Sequence, residues 1–183
     1  MASEIGVQKI QHTNGTTAIT IDSSGNVTAG GNIITPARPA FSVKRVDTAA
    51  TGSTGQVQFN TVDTNINSCW DTTNYRFEAP VNGVYHFSFT AMASGSTAGG
   101  QLAANNSSNV VIEKSTDGGS NWSHLCNAYS YFPSTTSFPN VSMSGTFTLN
   151  SGDYVRVNVE LLYIYSNTLA YNLNPTFSGY LIG

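Results

Sequence analysis

Val141-Ser142-Met143-Ser144-Gly145-Thr146-Phe147-Thr148-Leu149 alternates apolar with small polar residues, and the alternation resumes after a turn signal at Ser151-Gly152-Asp153. A period of two places Val141, Met143, Phe147 and Leu149 on one face of a strand and Ser142, Ser144, Thr146 and Thr148 on the other. Beyond the turn, Val155, Val157, Val159, Leu161 and Tyr163 make a second apolar stripe, with Arg156, Asn158 and Glu160 facing away. The two segments read as an antiparallel pair sharing one core. Nothing in them resembles an active site, so function is to be sought on the surface that the strands display.

The same pattern continues outward along the chain. No window carries apolar residues at three-and-four spacing over the ten or so positions that a helix needs. Clusters such as Thr51-Gly52-Ser53-Thr54-Gly55, Ser94-Gly95-Ser96-Thr97-Ala98-Gly99-Gly100 and Asp117-Gly118-Gly119-Ser120 punctuate short runs rich in aromatic and β-branched residues. Strands are expected near 40–46, 56–61, 75–78, 83–93, 109–114, 123–131, 141–149, 153–163 and 175–182. Many short strands separated by regular turns predict an all-β sandwich or jelly roll.

A chain of 183 residues has room for one domain with a real core and a short appended element. Charged residues make up 9%, against roughly 25% in ordinary soluble domains. Ser, Thr, Asn and Gly take their place, as in extracellular or particle-borne β proteins. The formal net charge of -3 offers no basic footprint for nucleic acid. No run approaches the roughly 20 apolar residues of a membrane span, and Met1-Ala2-Ser3-Glu4-Ile5-Gly6 has neither the basic nor the apolar region of a secretory signal. The expectation is a product of the cytoplasm, without membrane insertion. Cys69 and Cys126 lack a metal-type spacing and read either as two free thiols or as one disulfide.

Residues 1–38 differ from the rest. Val7-Gln8-Lys9-Ile10, Thr17-Ala18-Ile19-Thr20-Ile21 and Asn26-Val27-Thr28 are thinly apolar strands separated by Asn14-Gly15, a tight-hairpin signal, and Ser23-Ser24-Gly25. So few large side chains cannot build a core, because domains below roughly 40 residues usually need staples or partners. Ile10, Ile19, Ile21 and Val27 are therefore the candidate anchoring residues of an arm that packs on something else. Pro36 and Pro39 mark an extended connector, with a globular domain over 39–183.

Four groups of residues carry a resemblance: Pro39-Ala40-Phe41-Ser42-Val43; Val57-Gln58-Phe59-Asn60 with Asn65-Ile66-Asn67; Tyr75-Arg76-Phe77-Glu78-Ala79-Pro80-Val81-Asn82-Gly83-Val84-Tyr85-His86-Phe87-Ser88-Phe89; and Leu149-Asn150-Ser151-Gly152-Asp153-Tyr154-Val155 with Phe177-Ser178-Gly179-Tyr180-Leu181-Ile182-Gly183. Their order resembles the C1q-like domain of the C1q/tumour-necrosis-factor superfamily. The resemblance implies a ten-stranded jelly-roll sandwich assembling as a compact trimer, with aromatic and apolar positions along the threefold axis, and binding rather than catalysis. No collagen Gly-X-Y stalk precedes the domain, which points away from the complement and adipokine roles of animal members. Residues Lys9 to Val27 are similar to segments of bacteriophage virion proteins, notably fibre-type proteins of marine phages, in which such segments form intertwined trimeric β structure.

Ser115-Thr116-Asp117-Gly118-Gly119-Ser120-Asn121-Trp122 matches the Asp-box, a hairpin whose aspartate organises the turn and whose tryptophan packs beneath it. It occurs once and reads as structural, with Asp117 accepting backbone N–H bonds. His12, His86 and His124 do not share a strand face with another ligand, which leaves only a metal site assembled across strands open. His86 is expected at a surface or interface. Asp63, Asp71 and Asp153 are scattered among turns, unlike the paired carboxylates of glycosidases, and no dense acidic cluster supports calcium. No cofactor, metal or enzymatic activity is expected.

These readings predict a homotrimeric structural protein of a phage virion, a capsid decoration or short head fibre, whose partners are itself and capsid or tail proteins. The alternative is a tail-fibre or carbohydrate- or receptor-binding module that touches a host surface glycan through loops around Trp122, Tyr131 and Phe132.

Overall fold

The computed structural model describes residues 8–30, 38–46, 55–94, 96–97, 100–101, 106–132, 140–161, 163–165 and 174–183. The chain divides into two units, Met1–Pro36 and Ala37–Gly183.

In the first unit, β1 (Lys9–Gln11), β2 (Thr17–Ile21) and β3 (Val27–Ala29) form one antiparallel sheet in that order. Asn14-Gly15 closes the first hairpin: His12 N–H donates to Thr16 O and Gly15 N–H to His12 O, each at 2.9 Å, with Gly15 at φ 84°. Asp22 to Asn26 repeats this geometry around Gly25 at φ 81°, with both bonds at 3.0 Å. Both are three-residue loops ending on a left-handed glycine. The cross-strand pairs Ile10 with Ile19, Ile19 with Ala29 and Ile21 with Val27 gather five apolar side chains on one face. No described residue of this unit is buried.

The second unit contains β4 (Ala40–Lys44), β5 (Gly55–Gln56), β6 (Thr61–Ile66), β7 (Trp70–Asp71), β8 (Arg76–Glu78), β9 (Gly83–Ser94), β10 (Ser96–Thr97), β11 (Gly100–Gln101), β12 (Asn106–Ser115), β13 (Ser123–Phe132), β14 (Asn140–Leu149), β15 (Tyr154–Leu161), β16 (Tyr163–Tyr165) and β17 (Thr176–Leu181). Sheet I runs β13-β12-β15-β8-β7 with β5 added beside β15, and sheet II runs β14-β9-β17-β4-β6 with β16 added beside β9. Strands β10 and β11 pair as a small ribbon. The expected all-β sandwich is thus two antiparallel paths of five strands, and the described residues contain no helix.

Aromatic rings fill the space between the sheets. Phe41 lies 5.0 Å from both Trp70 and Phe177, and Phe77 lies 5.3 Å from both Tyr85 and Phe87. Sheet I contributes Val110, Ile112, Val155, Val157 and Val159, all fully or nearly fully buried. Gly179 on β17 is paired with Phe41 on one side and Phe87 on the other. A Cβ there would come within 2.5 Å of the Phe87 ring and 2.7 Å of the Phe41 ring, so the missing side chain makes room for both.

Two expectations fail. Over 141–149 and 155–159 strands β14 and β15 have the predicted faces, but they are not a hydrogen-bonded pair: β14 binds β9 along ten residues in sheet II, while β15 lies between β12 and β8 in sheet I, and Tyr163, expected on the same strand as Val155, belongs to β16 beside β9. The connecting corner explains why. Gly152 N–H donates to Ala79 O and Ala79 N–H to Asp153 O, which carries the chain across the sandwich instead of back along β14. The strand expected at 56–61 is also displaced. Val57 and Phe59 are buried, but 57–60 is irregular and the strand begins at Thr61. Asn60 bonds the N–H and O of Val46 at 2.8 and 2.9 Å, holding the chain before β6 pairs with β4.

Candidate functional site

The face of sheet I turned away from the core carries a connected polar array. Strand alternation turns Val110 and Ile112 inward and leaves Asn109 and Glu113 on the other side of β12. Register then sets Glu113 between His124 of β13 and Arg156 of β15. Arg156 Nε donates to Glu113 Oε2 at 2.8 Å, and Asn158 Nδ2 reaches Glu113 Oε1 at 3.3 Å. His124 Nε2 lies 2.7 Å from Glu160 Oε1 and 3.8 Å from Glu113 Oε1. Asn109 Nδ2 donates to Glu160 Oε2 at 2.5 Å. Glu113 is 5% exposed, and a carboxylate so buried is stable only when paired, as it is here.

The array continues into the Asp-box hairpin. The Arg156 guanidinium lies 3.8 Å above the Trp122 ring, and Trp122 Nε1 donates to Gly119 O at 3.0 Å. Asp117 accepts from Ser115 Oγ, Ser120 N, Asn121 N and Asn121 Nδ2 at 2.6 to 3.1 Å. Donation from the Asn121 backbone, then its side chain and Ser115, lowers the Asp117 carboxyl to about 2. The structural reading of this motif holds. Trp122 is committed to its own turn and to Arg156.

Tyr131 lies near the far end of β13, 58% exposed, with Tyr129 beside it on the same face at 65%. Nine residues at ~3.3 Å each separate it from Trp122 by roughly 30 Å, so the two do not converge. Phe132 ends the strand, its side chain outside the described residues, as are loop residues 98–99 and 133–139.

The exposed face of sheet II is chemically different. Ser42, Ser178, Ser88 and Ser144 form one row across four strands, and Ala40, Tyr180, His86 and Thr146 the next. His86 faces away from the core, with its ring 5.4 Å from that of Tyr180. Lys44 pairs with Asp63 at 2.8 Å at one side. In the arm, Ile10 is 51% and Val27 65% exposed, while Ile19 and Ile21 are half-buried.

The remaining candidates serve turns. Asp153 caps its corner by accepting from Asn150 N at 2.9 Å. Burial works against the Asp71 carboxylate, but bonds from the Asn74 side chain and backbone hold it below the usual range. Cys69 and Cys126 are free thiols, and burial pushes Cys69 up to about 11, which makes it an unreactive core residue. Sequence reasoning missed the cluster of Glu113, His124 and Glu160. Its members sit on three strands, and no spacing within one strand reveals them.

A C1q domain model matches residues 40–182, which excludes the arm. The sandwich is similar to the globular domain of zebrafish complement 1qA protein, at 22% identity and TM-score 0.57, over 80% of this chain and 98% of that one. It is also similar to murine APRIL (11%, TM-score 0.58, 79% and 99%) and to the Eiger TNF of S. frugiperda (9%, TM-score 0.57, 80% and 93%). Identities this low speak for the fold alone. No curated protein matches the sequence.

Proposed function

This chain belongs to the C1q domain family, and from that premise we propose that it is a trimeric structural protein of a bacteriophage virion, in which the arm fixes the chain to the particle and the sandwich projects as a head. C1q/TNF-type domains commonly trimerise, and the family is generally non-enzymatic. The observation that carries the proposal is the arm's apolar face. Ile10, Ile19, Ile21, Val27 and Ala29 line one side of a single three-stranded sheet that leaves Ile10 and Val27 exposed and Ile19, Ile21 and Ala29 only half-buried. Isolated small sheets need a packing partner for independent stability. Three arms around one axis give each face a partner at ~25 cal/mol per Å² of apolar surface covered.

The exposed face of sheet II supports the same assembly. Its row of Ser42, Ser178, Ser88 and Ser144 carries no charge, and these small side chains allow close approach of a second copy. Within this reading the role is capsid decoration or a short head fibre. Protein of this kind is made in the host cytoplasm and resides in the virion. A second reading, attachment to a host surface glycan or receptor from a tail fibre, rests on the exposed Tyr129 and Tyr131, since aromatic faces stack on sugar rings.

Sedimentation of the full chain tests the assembly. Wild-type protein should run as a trimer at micromolar concentration, and the double variant Ile19→Asp, Ile21→Asp should dissociate at that concentration. A wild type that sediments as a folded single subunit defeats the proposal. Immunogold labelling of virions addresses location: labelled heads fit decoration, labelled tails the attachment reading, and unlabelled particles neither.

A further inference from the structure

We propose that Glu113, His124 and Glu160 form a binding site for one divalent transition-metal ion, of which zinc is the type, on the exposed face of sheet I. One ligand atom from each residue lies within 4.8 Å of the other two. Around Zn²⁺, imidazole nitrogen and carboxylate oxygen sit about 2.0–2.2 Å from the metal, and a tetrahedron of that size separates its ligand atoms by roughly 3.3–3.6 Å. The distances from His124 Nε2, 2.7 Å to Glu160 Oε1 and 3.8 Å to Glu113 Oε1, bracket that separation. Small rotations of two exposed or half-exposed side chains bring them to it.

Two of the three are anchored through the oxygen that does not face the cluster. Glu113 is buried and fixed through its other oxygen by Arg156, which leaves Oε1 directed at His124 with only the longer Asn158 contact to give up. Arg156 itself is held over Trp122, so the Asp-box hairpin braces the carboxylate from behind. Glu160 is positioned through Oε2 by Asn109. Outer-shell bonds of this kind orient metal ligands.

Asn109 supplies an independent pointer. Its side chain is 4% exposed, yet Oδ1 has no hydrogen-bond partner, an uncommon condition for a buried acceptor. That oxygen shares an amide with the nitrogen bonded to Glu160, so it stands at the edge of the cluster. Charge agrees as well: Glu113 and Glu160 outweigh Arg156 by one negative charge when His124 is neutral. One imidazole in the set favours a borderline transition metal over calcium or magnesium, which take oxygen ligands. With three protein ligands on an open face, the fourth position is free for water or for a donor atom from a partner.

Isothermal titration of the metal-stripped full chain with ZnCl₂ tests the site, with CaCl₂ in parallel. One zinc per chain is expected, with His124→Ala weakening it by about 100-fold or more and Asn109→Ala by about 10-fold, the range for outer-shell losses. His12→Ala and His86→Ala should leave affinity unchanged. Unaltered binding in His124→Ala, equal affinity for calcium, or no saturable binding by the wild type would overturn the proposal. Co²⁺ added to the wild type provides a readout independent of any variant's folding: strong visible absorption of a tetrahedral ion supports the site, and the weak octahedral spectrum counts against it.

Discussion

Asp22 in the arm and Asp117 in the sandwich each gather the backbone N–H and the side-chain amide of the asparagine four residues on, Asn26 and Asn121. Both carboxyls are lowered by those bonds, in each case chiefly by that asparagine. The strands that leave the two turns have different fates. On either side of Asp117, β12 and β13 become two strands of a six-stranded sheet that covers a second sheet, and Val110 and Ile112 lose all contact with solvent. The strands flanking Asp22, β2 and β3, bury no side chain fully. The difference teaches that a well-made turn sets register but does not supply a core. Stability comes from what the paired strands are laid against.

The most damaging way to break the contrast is to spoil the core. Gly179→Val places atoms where the Phe41 and Phe87 rings already lie. Overpacking typically costs 1–3 kcal/mol and occasionally more, and with two buried rings in the way a loss of about 3 kcal/mol or more is expected. Chemical denaturation read by tryptophan fluorescence measures it. A change under about 1 kcal/mol would mean that the sheets yield more readily than close packing allows.

Next in size is the double substitution Ile19→Asp, Ile21→Asp, read this time by differential scanning calorimetry on the full chain. The trimer should weaken while the unfolding transition of the isolated sandwich keeps its midpoint. An equal fall in that midpoint would show that the arm's apolar face is part of the head's own stability.

Acid sharpens the comparison further. Asp117 has its folded-state carboxyl at about 2, below the ordinary 3.8, so it favours the fold when ionised. That contribution is complete above pH 3.8 and disappears as pH falls toward 2. In Asp117→Ala the thermal midpoint should drop at pH 7 and converge with the wild type near pH 2. A gap independent of pH would trace the loss to the hydroxyl and backbone contacts of the turn and not to charge.

The smallest effect is expected from Asp22→Ala. Its carboxylate makes nearly the same bonds, but the hairpin it closes holds no core, so the head's midpoint should not move. Amide hydrogen exchange at Ser24 and Asn26 should nevertheless quicken, because both N–H groups donate to Asp22. Unchanged exchange would show that the Gly25 turn closes without the aspartate.

Alternation alone made the faces legible. Tyr85, Phe87 and Phe89 inward with His86 outward, the opposed serines of β14, the arm hairpins and the single Asp-box all follow from spacing and turn chemistry within a few residues. Thr61–Ile66 escaped because an edge strand buried on neither face shows no alternation.

What the sequence determined by itself is therefore local: which side chains share a face, where a glycine or aspartate turns the chain, and that the arm is too poor in large side chains to enclose a core. Only the tertiary structure decided that β14 and β15 belong to different sheets, that Trp122 and Tyr131 stand far apart, and that Glu113, His124 and Glu160 meet. The reason is that strand direction and side-chain alternation are set by neighbours in the chain, whereas the order of strands in a sheet is set by contacts between segments remote in sequence. Which face becomes a site depends on that order.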